Sequence, residues 1–240
     1  MKVFAVHIGL TDATIEDLDC LIPFLEKERQ KRISNFIRFE DKYRSAVTGL
    51  LQYYMLPEHL KNTLDFSGYQ YNKYGKPEVS DEFNFEFNLS HSGEWVVGVC
   101  SEKKVGIDIE KINYNRKILQ SVLSLKEQQT LELLSKPERI NTFFNLWVLK
   151  EAHVKAMGKG FYIPLNEVSF EINFNNQIIG KNNDVGSWYY KLYAIDSDYK
   201  MAICAAEEGI FPEKVSVLTV KDLIMEFHIM NKGLVYNSQY

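Results

Sequence analysis

Three segments in the middle of the chain alternate in hydrophobicity with a period of two and lie only a few residues apart. Phe83, Phe85, Phe87 and Leu89 alternate with polar neighbours. Ser92-Gly93 then turns the chain into Trp95–Val99, and Glu102–Lys104 turns it again into Val105–Glu110. Such alternation marks half-buried strands, and connections this short join antiparallel neighbours. The middle of the chain is therefore committed to an antiparallel meander.

Helical character precedes the meander over about 26–56 and follows it over about 115–134 and 138–157, with a break at Pro137. Strand-like Val168–Ile172, Trp188–Ile195 and Met201–Ala205 come next. The opening apolar run Val3–Leu10 ends at Thr11-Asp12 with no small-residue cleavage site, so it reads as a first strand and not as a signal peptide. Helices followed by an antiparallel meander, twice over, predict an α+β protein of two similar lobes. The expected lobes are 1–104 and 105–224, joined at Val105–Glu110, with a frayed tail over 225–240.

The net charge of −4 argues against a general nucleic-acid binder. Cys20, Cys100 and Cys204 lie far apart without a CxxC pair, which fits a reducing cytoplasm and not a disulfide or zinc framework. No segment carries the roughly 18 apolar residues of a membrane span. The expectation is a cytoplasmic monomer that binds neither nucleic acid nor membrane.

On the third strand, Asp108 and Glu110 project from the same face, one pleat apart. Two close anions repel, and one takes up a proton unless a cation sits between them. About forty residues on comes Trp147-Val-Leu-Lys150-Glu151-Ala-His153-Val-Lys155. It reads as a helix that puts Glu151 and Lys155 on one face, with Trp147 a turn earlier. Three carboxylates converging from a strand and a helix would form a hard oxygen site of the kind Mg²⁺ uses to hold a substrate phosphate. The plainer alternatives are a solvated strand face and an i,i+4 ion pair worth a few tenths of a kcal/mol.

Gly106-Ile-Asp108-Ile-Glu110 followed by Trp147-x-x-Lys150-Glu151-x-x-x-Lys155 resembles the paired signature of the 4′-phosphopantetheinyl transferases. Phe87-Asn88-Leu89-Ser90-His91-Ser92 extends the resemblance to the two-lobed, Sfp-like type, over about Lys27 to Ala206. The resemblance implies a pseudo-dimer of lobes with the active site at their junction. It assigns Asp108, Glu110 and Glu151 to the metal, Mg²⁺ with Mn²⁺ as the alternative, and Glu151 also to activation of an incoming serine. Lys155 matches a lysine on the transferred phosphate. Lys150 lies about 100° around the helix from Glu151 and is expected to touch phosphate from the side.

Ser124-Leu-Lys-Glu127 reads as a capping box. The resemblance adds a second role for Glu127, near the metal or as a base. Residues 27–44 hold seven Lys or Arg against three acids, a local excess that suits an anion site. Arg29 and Arg32 match positions near the 3′-phosphate of coenzyme A, and Arg44 matches a further arginine. Lys76, Ser90 and His91 also match coenzyme A contacts.

The implied activity is transfer of 4′-phosphopantetheine from coenzyme A to a serine of an apo acyl or peptidyl carrier protein, releasing adenosine 3′,5′-bisphosphate. Carriers of nonribosomal peptide, polyketide, fatty-acid, antibiotic and siderophore synthesis are all compatible with these motifs. Two alternatives stand beside it: another Mg²⁺-dependent phosphodiester-cleaving enzyme, and a non-catalytic coenzyme A or carrier-protein binding module. Lys111–Val122, with Tyr114, Arg116 and Lys117, is the expected carrier dock.

Overall fold

A computed structural model describes residues 1–63, 69–113, 119–173, 177–180 and 187–237. Tyr114, Arg116 and Lys117 of the expected dock lie outside the described residues.

Strand β1 (Lys2–His7) is followed by helices α1 (Ile15–Leu21), α2 (Lys27–Asn35), α3 (Phe39–Met55) and α4 (Glu58–Thr63). A small hairpin of β2 (Gln70–Tyr71) and β3 (Pro77–Glu78) leads to β4 (Glu86–Ser92), β5 (Trp95–Ser101) and β6 (Val105–Lys111). Helices α5 (Leu119–Val122), α6 (Leu125–Glu132) and α7 (Lys136–Met157) come next. The chain ends with β7 (Phe170–Ile172), β8 (Ile178–Gly180), β9 (Tyr189–Tyr193), β10 (Tyr199–Ala205), β11 (Ser216–Leu218) and α8 (Val220–Asn237).

The fold is α+β, with two main sheets in the orders β11-β1-β5-β4 and β6-β10-β9. Every pairing in them is antiparallel except β1 with β11. The sheets pack face to face. Val3, Ala5, Trp95, Val97 and Val99 of the first meet Ile107, Ile109, Met201 and Ile203 of the second in one buried cluster. The outer face of the first sheet is covered by α1, α3 and α8, and that of the second by α7. Helices, sheet, sheet and helix thus form four layers. The period-2 patterns explain this, since each strand buries one face on helices and the other on the opposite sheet.

Two expectations need correction. The meander does not run through all three strands, because β6 leaves β5 after a short turn and pairs with β10 in the other sheet. Residues 216–228, expected partly in the second lobe and partly in a frayed tail, pack instead with the first sheet and its core. β11 extends the first sheet beside β1. Leu223 and Phe227 of α8 are buried in the first core, where Phe227 packs at 5.1 Å from Tyr53 and 4.7 Å from Phe24. Lys61 Nζ holds Glu226 Oε1 at 2.6 Å. An apolar face on a terminal helix finds its partner across the molecule, which a local pattern does not reveal.

Helix α7 is well delimited. Ser135 and Glu138 form a capping box, Pro137 sits in the first turn, and Gly158 ends the helix at φ 68°. Pro137 therefore starts this helix and does not merely separate two. Gly106 on β6 lies directly beneath α7, where a Cβ would collide with backbone at Ala152 and Ala156. That close approach sets the height of Glu151 and Lys155 over the acids of β6.

Candidate active site

A cleft of about 610 Å³ opens where β4, β6, α2, α3 and α7 meet. Asp108, Glu110, Trp147, Glu151 and Lys155 line one part, and Arg29, Arg32, Ser90 and His91 also face it. Nine of the residues singled out in the sequence are therefore gathered in one cavity. Arg44, Lys76, Lys150 and Glu127 are not among its walls.

Asp108 is almost wholly buried. Its Oδ1 accepts from Lys155 Nζ at 2.6 Å and from Ser90 Oγ at 2.8 Å. Lys155 Nζ also donates to Ser90 Oγ at 2.9 Å. The ion pair formed by Lys155 thus crosses from α7 to β6, in place of the i,i+4 pair with Glu151 that the helix alone would predict. Glu110 Oε2 accepts from Ser92 Oγ at 3.1 Å.

The electrostatics carry the mark of crowded anions. Burial, and next the charge of Asp108, push the Glu110 carboxyl up to about 7. The same two causes raise Glu151. Burial raises Asp108 against the opposing pull of Lys155. His91 lies at the cleft surface, yet desolvation by the surrounding walls, then Lys155 and Arg44, hold its imidazolium below the usual range.

A divalent cation fits this donor set. Asp108 Oδ2 is buried with no hydrogen-bond partner. An orphaned carboxylate oxygen costs stability unless something positive meets it. Among the described residues no three His, Cys, Asp or Glu are gathered closely enough to hold an ion by themselves. The convergence of three acids read from the sequence is thus looser than a closed cage. It matches the way Mg²⁺ is usually bound, through one or two carboxylates with substrate phosphate completing the shell.

The basic helix is divided between structure and cleft. Arg29 is buried and committed internally: Nη2 donates to Gln52 Oε1 at 2.6 Å, Nη1 to the Ser45 carbonyl at 3.4 Å, and Nε lies 3.7 Å from Glu26. Arg32, one turn on, is exposed at the cleft. Arg44 clamps a turn, donating to the Gly93 carbonyl at 3.1 Å and pairing with Asp41 at 2.8 Å. Lys76 Nζ lies 3.5 Å from Glu86, in a turn that docks on the end of α7 through Asn72 Nδ2 and the Gly158 carbonyl at 3.0 Å.

Glu127 and Lys150, expected at the phosphate or metal, are paired elsewhere. Lys150 is wholly buried in the second core, and its Nζ donates to Glu127 Oε2 at 2.5 Å, the Val122 carbonyl at 2.7 Å and the Leu165 carbonyl at 3.1 Å. Glu127 Oε1 accepts from Phe170 N at 3.0 Å, and its other oxygen completes the capping box with Ser124. The helical offset from Glu151, expected to give a sideways reach to phosphate, instead turns Lys150 into the core. Asn88 and Ser92 carry no assigned role in the sequence reading, yet both reach β6. Their signal was present, because Asn88, Ser90 and Ser92 share one face of a strand whose other face holds Phe87 and Leu89.

The family model described as "4′-phosphopantetheinyl transferase superfamily" matches residues 104–204, and "4′-phosphopantetheinyl transferase, N-terminal" matches 12–104. The chain is 30% identical over 228 residues to the 4′-phosphopantetheinyl transferase Sfp of Bacillus subtilis (strain 168), covering 93% of this chain and 100% of the relative. It is 32% identical over 200 residues to the 4′-phosphopantetheinyl transferase gsp of Aneurinibacillus migulanus, covering 83% and 84%. A crystal structure of a holo-(acyl-carrier-protein) synthase from Bacillus anthracis in complex with CoA (3′,5′-ADP) overlaps 42% of this chain and 93% of that one, with a TM-score of 0.38 and 18% identity.

Proposed function

The chain belongs to the 4′-phosphopantetheinyl transferase superfamily, and on that premise we propose that it moves 4′-phosphopantetheine from coenzyme A to a serine hydroxyl of an apo carrier protein, with Mg²⁺ as cofactor and adenosine 3′,5′-bisphosphate as released product. It is an enzyme of the transferase class. The observation that carries the reading is the buried Asp108, paired with Lys155 on one oxygen and unpartnered on the other, in a cleft that also holds Glu110, Glu151 and Arg32.

Asp108 and Glu110 would hold the ion, with Glu151 beside them. When bound, Mg²⁺ supplies Lewis-acid stabilisation of charge on the pyrophosphate. The remaining steps fall to this chain's own side chains. Glu151 takes the proton of the carrier serine, whose oxygen attacks the phosphorus bonded to pantetheine. General base catalysis of this kind typically contributes about 10²–10⁴ in rate. The bond to the bridging pyrophosphate oxygen breaks, and Lys155 offsets or protonates the departing phosphate. Arg32 and His91 grip the nucleotide phosphates from the other wall. Glu127 is no longer a candidate base, because both of its oxygens are engaged away from the cleft.

The natural division is into a nucleotide side before residue 105 and a metal side after it, with β11 and α8 returning to the first. The enzyme is proposed to act as a cytoplasmic monomer. Among the described residues no helix is long and apolar enough to cross a membrane. The deciding experiment is intact-mass analysis of an apo carrier protein incubated with the enzyme, coenzyme A and Mg²⁺. A gain of one phosphopantetheine on the serine is expected, and it should vanish on chelation. Hydrolysis of coenzyme A without a mass gain on the carrier would overturn the reading in favour of a phosphodiesterase.

A further inference from the structure

Strands β4 and β6 lie side by side but belong to different sheets. One edge of β6 is laddered to β10, and no backbone pairing joins it to β4. Side chains of β4 take the place of a ladder. Asn88 Oδ1 accepts from Ile107 N at 2.9 Å, and Ser92 Oγ accepts from Lys111 N at 3.0 Å. Two donors of a strand edge that would otherwise need a partner are answered in this way.

The two serines of the seam also reach the carboxylates: Ser90 Oγ donates to Asp108, and Ser92 Oγ to Glu110 Oε2 at 3.1 Å. A hydroxyl offers one proton and two lone pairs. Ser92 uses both functions within one residue of each other on β6, giving its proton to the Glu110 carboxylate and accepting from the next backbone N–H. Its own position is fixed on three sides. The β4–β5 ladder pairs Ser92 with Trp95, Arg44 holds the adjoining Gly93 carbonyl, and the Tyr199 hydroxyl fills the space where a Cβ at Gly93 would go. Ser92 is absent from the cleft walls while Glu110 is one of them. The hydroxyl reaches the site through Glu110.

We propose that Ser92 is a positioning residue, whose hydroxyl orients the Glu110 carboxylate for divalent-cation binding. The inference rests on Glu110 being a metal ligand, as proposed above. Partners of ligating carboxylates typically cost about 10–100-fold in metal affinity when removed, and a loss of about tenfold is expected here.

The test is a Mn²⁺ titration of the protein saturated with coenzyme A, followed by electron paramagnetic resonance, with no carrier present. Thr and Val have nearly the same shape, so Ser92→Thr against Ser92→Val reads the hydroxyl alone, whatever either does to the turn. Ser92→Thr should keep wild-type Mn²⁺ affinity, and Ser92→Val should lose about tenfold. A purely structural role would lower the melting temperature of Ser92→Val while leaving its Mn²⁺ affinity unchanged, and that result overturns the inference. Glu110→Gln separates the two levels. If it weakens Mn²⁺ while Ser92→Val does not, the positioning role alone fails. If Glu110→Gln binds Mn²⁺ like wild type, the metal assignment of Glu110 fails and the inference with it.

Discussion

Helix α7 carries two lysines five residues apart, and each meets a carboxylate from another element. Lys150 pairs with Glu127 deep in the second core, with two backbone carbonyls taking its other protons, and burial lowers its ammonium against the pull of Glu127. Lys155 pairs with Asp108 where α7 crosses β6 at the cleft, is about a quarter exposed, and leaves one Asp108 oxygen without a partner. The first network is closed and the second is open. A closed buried network serves rigidity, because every polar group is matched. An open one at a cleft holds unsatisfied capacity, which is where a cation or phosphate is drawn. The difference lies in what surrounds each pair, since both join a lysine to a carboxylate.

Mutations can break this comparison. The largest effect is expected from Asp108→Ala, which removes the centre of the open network. Turnover should fall about a thousandfold or more, since metal stabilisation of transition-state charge is worth several kcal/mol. The fold should stay intact by circular dichroism, because one of several repelling anions is gone. Near wild-type transfer at saturating Mg²⁺ would remove Asp108 from the chemistry.

Next comes Glu151→Gln, which keeps shape but deletes the proposed base and a charge. Single-turnover transfer to the carrier should drop by about 10²–10⁴, with calorimetric affinity for coenzyme A changed far less. Comparable losses in both would make Glu151 a binding group.

Lys150→Met probes the closed network. Breaking a buried pair by removing one partner costs about 3–5 kcal/mol, so the urea midpoint should fall sharply. Turnover per folded molecule, measured cold, should remain within about twofold. A collapse of turnover in a protein of undiminished stability would move Lys150 back to the phosphate.

The smallest effect separates the two arginines of α2. Arg32→Ala should weaken coenzyme A by about tenfold, as expected for a charge-assisted hydrogen bond of roughly 1.5–3 kcal/mol, and should barely alter 3′-dephospho-coenzyme A. Arg29→Ala should act on both substrates alike and lower the melting temperature, because Arg29 is spent on Gln52 and the Ser45 carbonyl. Equal behaviour of the two variants would erase the distinction.

The sequence by itself determined which residues share a face. Period two put Asp108 with Glu110, and period 3.6 put Glu151 with Lys155, because side-chain direction follows from backbone geometry within one element. The capping box at Ser124 and the α+β class were legible for the same local reason. Only the tertiary structure decided which of those faces meet. It took β6 out of the meander and into the second sheet, returned β11 and α8 to the first, and sent Lys150 inward and Lys155 to the cleft. It also chose Arg32 over Arg29 as the open arginine and made Asn88 and Ser92 the bridge to β6. These outcomes depend on burial and on partners distant in sequence. A residue's neighbours along the chain fix its direction, and the packing of whole layers fixes what it points at.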